Sequence, residues 1–312
     1  MPLVVLVPLF DDWQCLPPLL RDLDRALAAA SETAHVVVVD DGSPTPCPDV
    51  AALRAGHQNL TGLQVIELLR NVGTERAIAI GLCHVHAERP GDAVVVMDAD
   101  GEDPPSAITL LTAAARERSC DIVVASRKRR HESLWFRAFY QAFKASFGIA
   151  TGRRLDHGHF SLLSPRATER LVNMHELWIS YSAALLVSRL PLQRIGVDRG
   201  SRYSGHSHMS VVSLVVHGMR AASVFLEQIY VRAVLTLGVL VSVAAVVIVT
   251  ALSLKLVDHA SPGWASNLIA TSSVIVILSM LLVVSLMAIL RGNHDVTAPK
   301  QHWKQFVRAV RS

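Results

Sequence analysis

Three carboxylates follow an apolar run in the first third of the chain. They are Asp98, Asp100 and Glu102, in the segment VVVMDADGEDPP. In an extended or turning segment alternate side chains share a side, so these three can face one cation. Carboxylate oxygens suit Mg²⁺ or Mn²⁺, usually with substrate phosphates completing the coordination shell. The position after an apolar strand and before two prolines predicts a Mg²⁺ or Mn²⁺ site for a phosphorylated substrate.

Charged residues also end other apolar runs. Asp12 follows LVVLVPL, Asp40 and Asp41 follow HVVVV, and Arg127 ends DIVVASR. Ligands of parallel sheets bind outside the carboxyl ends of the strands, so we expect these residues at one edge. The alternative for the Asp40–Asp41 pair is that it only caps the following turn.

The elements that must position these residues are strands alternating with helices. Apolar runs of strand length are separated by stretches with helical spacing at 16–27, 74–86 and 106–118. This order favours a parallel sheet with helices on both faces. The chain has neither GxxxxGK[ST] nor GxGxxG, so P-loop and dinucleotide sites lose their main support.

The composition excludes several classes of protein. Hydrophobic residues make up 51% and charged residues 18%, with a net charge of +4. The chain is too apolar for disorder, and it is less charged than the roughly 25% of an average soluble protein. Its four cysteines form no CxxC pair, which argues against a zinc ribbon or a disulfide framework. The N-terminus lacks the basic region of a signal peptide.

Charge is divided unevenly along the chain. Up to Asp121 there are 18 acidic and 8 basic residues, whereas 122–232 contains 6 acidic and 16 basic residues. The acidic part suits a metal, and the basic part suits phosphates or an anionic membrane leaflet. The alternative is that the two parts only pair with each other.

Two uncharged runs in the last third, 233–254 and 260–290, each exceed the roughly 20 residues that cross a membrane. They predict a hairpin with transmembrane helices at 233–257 and 265–290. The alternative is a pair of helices buried in a soluble core.

Basic residues set the expected orientation of this hairpin. The tail at 291–312 has five basic residues and one acid, and Arg232 precedes the first run. The positive-inside rule places a catalytic domain at 1–210 and the basic tail in the cytoplasm. Segment 211–232 is expected to form a juxtamembrane amphipathic helix.

A second membrane-contacting helix is predicted from an aromatic stripe. Trp135, Phe139, Phe143 and Phe147 recur on one helical face, with Arg137 off that face. This pattern is typical of a helix lying in the membrane plane. The alternative is an ordinary helix that faces the core.

The ordered motifs resemble a known family. VPLFDD, VVDDGSP and MDADGEDPP look like the GT-A fold of family 2 glycosyltransferases. ASR at 125–127, GHFSLLSPRA at 158–167 and RYSGHSHMS at 202–210 are similar to dolichyl-phosphate mannose synthases and to GtrB-type polyprenyl-phosphate glycosyltransferases. The resemblance covers nearly the whole chain. It implies an α/β GT-A nucleotide-sugar-binding domain with a mainly parallel central sheet, then juxtamembrane helices and a two-helix transmembrane hairpin.

The resemblance also implies an activity. The chain would transfer a sugar, with inversion, from a nucleotide-diphosphate sugar to undecaprenyl or dolichyl phosphate at the bacterial inner membrane. Mg²⁺ or Mn²⁺ would be the cofactor, and no nucleic acid would be a partner. Since a phosphate acceptor is already an anion, no strong general base is required.

Residue roles follow from the matched motifs. The places near the nucleotide base are held by Pro8, Phe10, Asp12, Val39, Asp40 and Asp41. Asp98, Ala99 and Asp100 match the DAD metal motif, and Glu102 stands where relatives often have a metal-binding Gln.

Basic residues of the matched motifs would meet phosphate. Arg127 matches an Arg that contacts phosphate, and Arg137 is a further candidate for the acceptor or an interfacial anchor. Arg202 and His208 match an Arg and a Lys on a loop that closes over the active site. His159 stands where relatives have a possible carboxylate, and it is included among the substrate-binding residues. The catalytic residues would be Asp100, Arg127 and Arg202.

Two other functions stay open. One is transfer directly to a membrane glycolipid hydroxyl, which needs a general base near the acceptor. The other is a non-catalytic membrane scaffold that binds sugar nucleotides. The oligomeric state, including a homo-oligomer, also stays open.

Overall fold

The structure is a computed structural model that describes residues 2–118, 120–127, 141, 145, 147–153, 158–204, 211–256, 263–292 and 297–312. They form two units. The first comprises Met1–Tyr140, Leu155–Val224 and Thr297–Ser312. The second comprises Gln141–Arg154 and Phe225–Val296.

The first unit is built on a mixed sheet, which has eight strands within the described residues. The strands are β1 Leu3–Leu9, β2 Ala34–Asp40, β3 Leu60–Leu68, β4 Ala93–Val96, β5 Ile122–Arg127, β6 Ser161–Leu163, β7 Leu192–Val197 and β8 Val307–Arg311. Their order across the sheet is β7-β5-β6-β4-β1-β2-β3-β8. Neighbours are parallel except that β6 runs antiparallel to β4 and β5, and β8 to β3. The predicted mainly parallel α/β sheet is confirmed.

Helices cover both faces of this sheet. Those of the first unit are α1 Leu16–Ala30, α2 Val50–Arg54, α3 Thr74–Glu88, α4 Ile108–Arg118, α5 Pro165–Val172, α6 Tyr181–Val187, α7 Val211–Ser223 and α10 Pro299–His302. Strand side chains alternate between the faces, so Val5 and Val7 pack with α1 and α4 whereas Val4 and Leu6 pack with α3. β1 and β2 are buried along their whole length because apolar side chains of these helices cover both faces of the sheet.

The C-terminal strand β8 lies in the segment expected to be only a basic tail. It pairs antiparallel with β3 at the sheet edge. Val307 and Ala309 on one face are partly buried, whereas Arg308 and Val310 on the other face are exposed, as suits an edge strand. The last residues of the chain therefore belong to the first unit.

The second unit contains two long apolar helices, α8 Leu226–Leu256 and α9 Trp264–Gly292, which pack on each other. Only 6% of the residues in the most apolar stretch of α8 and 11% of those in the most apolar stretch of α9 are buried. Both are long and apolar enough to cross a membrane. The structure divides the predicted juxtamembrane segment 211–232 between α7 and the start of α8.

Candidate functional site

The carboxyl ends of the central strands meet at one edge of the sheet. The Asp41 N–H, just after β2, donates to the Leu9 carbonyl at the end of β1 at 2.8 Å. The Asp11 N–H donates to Ser43 Oγ at 2.7 Å, which joins the loops that follow β1 and β2. The loop after β4 lies beside them because β4 pairs with β1. The edge expected from the sequence is therefore formed by these three loops.

The residues expected near the nucleotide base have different environments. Pro8 and Val39 lie inside β1 and β2 and are buried, so their side chains belong to the sheet faces. Phe10 is half exposed at the rim, and Asp12 is partly exposed beside it. Of this set, Phe10 and Asp12 are the side chains that reach the surface.

Asp40 and Asp41 are buried, and their side chains accept hydrogen bonds from backbone N–H groups of nearby loops. Asp40 accepts hydrogen bonds from the Ser43 N–H at 3.0 Å and from the Ser43 hydroxyl. Asp41 accepts from the N–H groups of Val72 at 2.7 Å and Gly73 at 2.9 Å. Burial raises the pKa of both carboxyls above the ordinary value. These contacts are the turn-capping role considered as the alternative for this pair.

A cavity of about 330 Å³ opens beside Asp40. Ser43 and Cys47 line one side, and Glu67, Arg308 and Arg311 line the other. Arg311 donates to Glu67, and Arg308 has no ion-pair partner within the described part of the chain. The sequence analysis missed both arginines, because nothing in the tail indicates that it forms a strand beside β3.

The loop with the DAD motif is tightly turned after β4. The Glu102 N–H donates to Asp100 Oδ1 at 2.9 Å, and the Asp98 N–H donates to Asp103 Oδ2 at 3.1 Å. Gly101 between them has a φ of 88°, a conformation that favours glycine. Ala99 is buried in the core. The turn brings the Asp100 and Glu102 side chains to the same basic partner.

That partner is Arg202, on the loop at 198–204 that follows β7. Its Nε donates to Glu102 Oε1 at 3.0 Å, and its Nη2 donates to Asp100. Arg199 donates to Glu102 as well. Burial raises the pKa of Asp100, and the charges of Asp98 and Glu102 act in the same direction. The structure thus brings together two predicted metal ligands and a predicted active-site arginine that lies about 100 residues away.

His159 lies between two carboxylates, and its side chain is 13% exposed. Its Nδ1 is 3.7 Å from Asp98 Oδ1, and its Nε2 is 3.5 Å from Glu75 Oε1. Burial lowers the pKa of His159, but the charges of Glu75 and Asp98 outweigh that effect and hold it well above the ordinary value. His159 therefore connects the DAD motif to α3.

Glu75 has a further partner on α7. The Nε2 of His217 is 3.1 Å from the same Oε1, and the Tyr181 N–H donates to Oε2 at 2.6 Å. Burial raises the pKa of Glu75, yet the charges of His159 and His217 and the hydrogen bonds leave it below its ordinary value. The sequence analysis missed Glu75 and His217. An acid in the first turn of a helix is common, so the sequence carries no signal that sets Glu75 apart.

Some predicted residues cannot be placed. Arg137 and His208 lie outside the described residues, as do Trp135, Phe139 and Phe143 of the aromatic stripe. Arg127 is described by its backbone alone, which ends β5 opposite Val197. Phe147 is buried and meets the ring of Phe225 edge-on, with 5.8 Å between the ring centroids.

The carboxylates of the DAD motif fit a hard cation such as Mg²⁺ or Mn²⁺. Asp98, Asp100 and Glu102 supply only oxygen ligands, which both ions prefer. Over the described ranges, one set of three side chains has its ligand atoms within 4.8 Å of one another, and it is Glu75, His159 and His217. The DAD carboxylates would therefore hold an ion through one or two oxygens, with substrate phosphates supplying others, as is usual for Mg²⁺.

Residues 4–181 match the family described as Glycosyl transferase family 2. The chain is 30% identical over 217 residues to the undecaprenyl-phosphate 4-deoxy-4-formamido-L-arabinose transferase of Erwinia tasmaniensis. The protein of the same name from Photorhabdus laumondii is 28% identical over 215 residues. Each match covers 68% of this chain and 64% of the relative, so the chain spans a little less than two thirds of the length of these relatives.

Among solved structures, the glucosyl-3-phosphoglycerate synthase of Mycobacterium tuberculosis superposes with a TM-score of 0.48 and 17% identity. The superposition covers 73% of this chain and 80% of that one.

Proposed function

The chain belongs to glycosyl transferase family 2, and from this premise we propose that it transfers a sugar from a nucleotide-diphosphate sugar to a membrane polyprenyl phosphate. The names of the relatives from E. tasmaniensis and P. laumondii support undecaprenyl phosphate as the acceptor class, with dolichyl phosphate as its chemical equivalent. The observation that carries the proposal is the contact of Arg202 with Asp100 and Glu102. This contact places two carboxylates that can bind a metal ion next to a guanidinium that can bind a phosphate.

The donor is proposed to lie along the carboxyl edge of the sheet. Its nucleoside would enter the cavity beside Asp40, where Arg308, which has no ion-pair partner among the described residues, would bind a polar group, and Phe10 would flank the nucleoside at the rim. The diphosphate would reach Asp98, Asp100 and Glu102. A bound Mg²⁺ or Mn²⁺ would neutralise the charge that develops on the leaving diphosphate. Arg202, close to two of these carboxylates, would hold the same phosphates.

The acceptor phosphate is proposed to attack the anomeric carbon. One of its oxygens forms a bond to that carbon while the bond to the diphosphate oxygen breaks, and a nucleoside diphosphate leaves. In-line attack inverts the configuration. Because the nucleophile is already an anion, the chain has no proton to remove. Arg127 at the end of β5 is proposed to orient the acceptor, since a guanidinium matches two phosphate oxygens at once.

The two apolar helices are proposed to anchor the enzyme in the bacterial inner membrane as a hairpin. The catalytic unit and the C-terminal strand would then share the cytoplasmic side, since both belong to one sheet. Cysteine labelling of sealed inverted vesicles tests this orientation. A cysteine placed at Ser312 should react with a membrane-impermeant reagent, and one placed at Gly263, between the helices, should react only after lysis. Equal labelling of the two positions before lysis would contradict the hairpin.

The activity is tested with the purified full chain in detergent. UDP-, GDP- and dTDP-sugars are offered with undecaprenyl phosphate, dolichyl phosphate or undecaprenol, and lipid-linked sugar is measured. We expect product with a phosphorylated lipid and none with undecaprenol. Asp100→Asn, of nearly equal size, is the matched inactive variant. Preference for undecaprenol would favour the hydroxyl-acceptor function, and nucleotide binding without any product would favour the scaffold.

A further inference from the structure

We propose that Glu75, His159 and His217 form a second metal site, separate from the DAD motif, for a transition-metal ion such as Zn²⁺. The proposal rests on the positions of three side chains and does not depend on the proposed function. Both imidazoles direct Nε2 toward the same oxygen of Glu75, at 3.5 Å for His159 and 3.1 Å for His217. The ligand atoms of all three residues lie within 4.8 Å of one another.

These separations suit a tetrahedral ion. Zn²⁺ binds imidazole nitrogen and carboxylate oxygen at about 2.0–2.1 Å, so two ligands of one tetrahedral ion lie about 3.3 Å apart. The two contacts to Glu75 Oε1 fall on either side of that value. Two His and one Glu form a known type of zinc ligand set, which leaves one position for water or another ligand. Mg²⁺ prefers oxygen ligands and fits the set poorly.

The surroundings of the three ligands also match a metal centre. A metal-binding His commonly directs its other ring nitrogen at a carboxylate, and a metal-binding carboxylate is itself hydrogen-bonded. The other ring nitrogen of His159, Nδ1, is 3.7 Å from Asp98 Oδ1. The second oxygen of Glu75 accepts from the Tyr181 N–H at 2.6 Å. Both supporting contacts are therefore provided by the fold.

The exposed side chain of His217 would let an ion reach the site from solvent. The Glu75 and His159 side chains are 5% and 13% exposed, whereas the His217 side chain is 43% exposed. A bound ion would join α3, the loop before β6 and α7, three segments that are distant in sequence. It would also fix the ring of His159 and, through it, Asp98 of the DAD motif. The ion would thereby hold α7 and Asp98 in fixed positions.

Metal binding can be measured directly on the full chain in detergent. The protein is stripped with a chelator, supplied with excess Mg²⁺, and titrated with Zn²⁺ against a chromophoric chelator. We expect one tightly bound Zn²⁺ per chain, and Co²⁺ in its place should give the intense visible bands of a tetrahedral site. His217→Ala should weaken binding by more than about 100-fold, because loss of an outer partner alone costs about 10- to 100-fold.

Matched variants separate this site from the DAD motif and from misfolding. Asp100→Asn removes a DAD carboxylate, and His57→Ala removes a histidine outside the cluster; both should keep the Zn²⁺. His217→Cys restores a ligand and should recover binding, which a variant that had merely unfolded would not do. The proposal is wrong if native protein binds Zn²⁺ no more tightly than His217→Ala does. It is equally wrong if Asp100→Asn loses the ion, since the ion would then belong to the DAD motif.

Discussion

The Tyr203 hydroxyl donates a hydrogen bond of 2.8 Å to a carboxylate oxygen of Asp22 on helix α1. The N–H of Tyr203 donates to the carbonyl of Asp100 at 2.9 Å. The residue next to Arg202 is therefore held through its side chain by α1 and through its backbone by the DAD loop. The position of Arg202 over the carboxylates depends on these two attachments.

Removing the hydroxyl should loosen this loop. Tyr203→Phe loses a hydrogen bond worth about 1 kcal/mol, which lowers the melting temperature of a unit of this size by about 2–4 °C. The turnover of lipid-linked product should fall several-fold, because Arg202 is held less firmly. Arg25→Ala is the control, since it removes the exposed partner of Asp22 at 3.5 Å and should change stability by less than about 0.5 kcal/mol. Equal melting temperatures for Tyr203→Phe and native protein would show that the contact is unimportant.

Gly101 is expected to tolerate no side chain. A Cβ there would lie 2.7 Å from the Tyr203 ring and 2.8 Å from the Ser201 carbonyl oxygen, and φ is 88°. Gly101→Ala should therefore cost about 1–3 kcal/mol from the backbone alone and should displace Asp100 and Glu102. We expect at least about a tenfold loss of transfer and a lower melting temperature.

The control for that variant is Gly91→Ala. A Cβ at Gly91 would meet no atom within 4 Å, so its stability and its transfer rate should match those of the native protein. A Gly101→Ala protein that behaves like Gly91→Ala would mean that the loop at 198–204 does not pack on the DAD loop in solution.

The metal requirement gives a third prediction. Asp100→Ala removes a carboxylate that would hold the cation, and the cation would neutralise the leaving diphosphate. The rate of formation of lipid-linked product should therefore fall by two orders of magnitude or more, which corresponds to a rise of roughly 3 kcal/mol in the activation free energy. Excess EDTA should abolish transfer by the native protein, and added Mg²⁺ or Mn²⁺ should restore it. Asp92→Ala, at a distant surface ion pair with Arg89, should stay active. Full activity of the native protein in EDTA would exclude a metal at the DAD motif.

The strands could be predicted from the sequence where they are apolar throughout. β1 and β2 lie within the runs LVVLVPL and HVVVVD because both faces of each strand are covered by helices. β6 was missed because three residues, Ser161–Leu163, give no periodicity to detect. β8 was missed because its partner β3 is about 240 residues away and local pattern carries no information on such a pairing.

The residues of the candidate site, like the strands, were predictable only in part. Motif order predicted one site for Asp98, Asp100 and Arg202, and the structure brings Arg202 into contact with Asp100. Glu75 could not be recognised, because it stands in the first turn of α3, where an acid usually serves the helix dipole. Its partners His159 and His217 come from two other segments that only the tertiary fold brings together.

Burial of Cys83 gives a fourth prediction. This thiol lies in the core on α3 and is 1% exposed, and burial raises its pKa to about 12. At pH 8 almost no thiolate is present, and the sulfur is out of reach of a reagent. Iodoacetamide should therefore modify the partly exposed Cys120 in native protein and leave Cys83 unmodified until denaturant is added. Mass spectrometry of peptides measures this, and rapid labelling of native Cys83 would contradict its placement in the core.

The last prediction separates two roles of Arg202. Its guanidinium contacts two carboxylates that would also bind the cation, so Arg202→Ala removes a competing positive charge. Mn²⁺ should then bind several-fold more tightly, because about 1 kcal/mol of repulsion between the guanidinium and the cation is lost. Transfer should nevertheless fall by about 100-fold, because a charge-assisted contact to phosphate is lost. Arg202→Lys keeps the charge without the planar fork and should lie between the two.

Arg199→Ala is the matched comparison for Arg202, since Arg199 has an ion pair with one carboxylate among the described residues, Glu102, and its side chain is 40% exposed. Its loss should affect transfer less. Titration of Mn²⁺ followed by its paramagnetic resonance signal, together with product formation in the same samples, measures both quantities. If Arg202 only held the loop in place, its removal would weaken Mn²⁺ binding and transfer together. Tighter Mn²⁺ binding with slower transfer is the result that a phosphate-binding arginine requires.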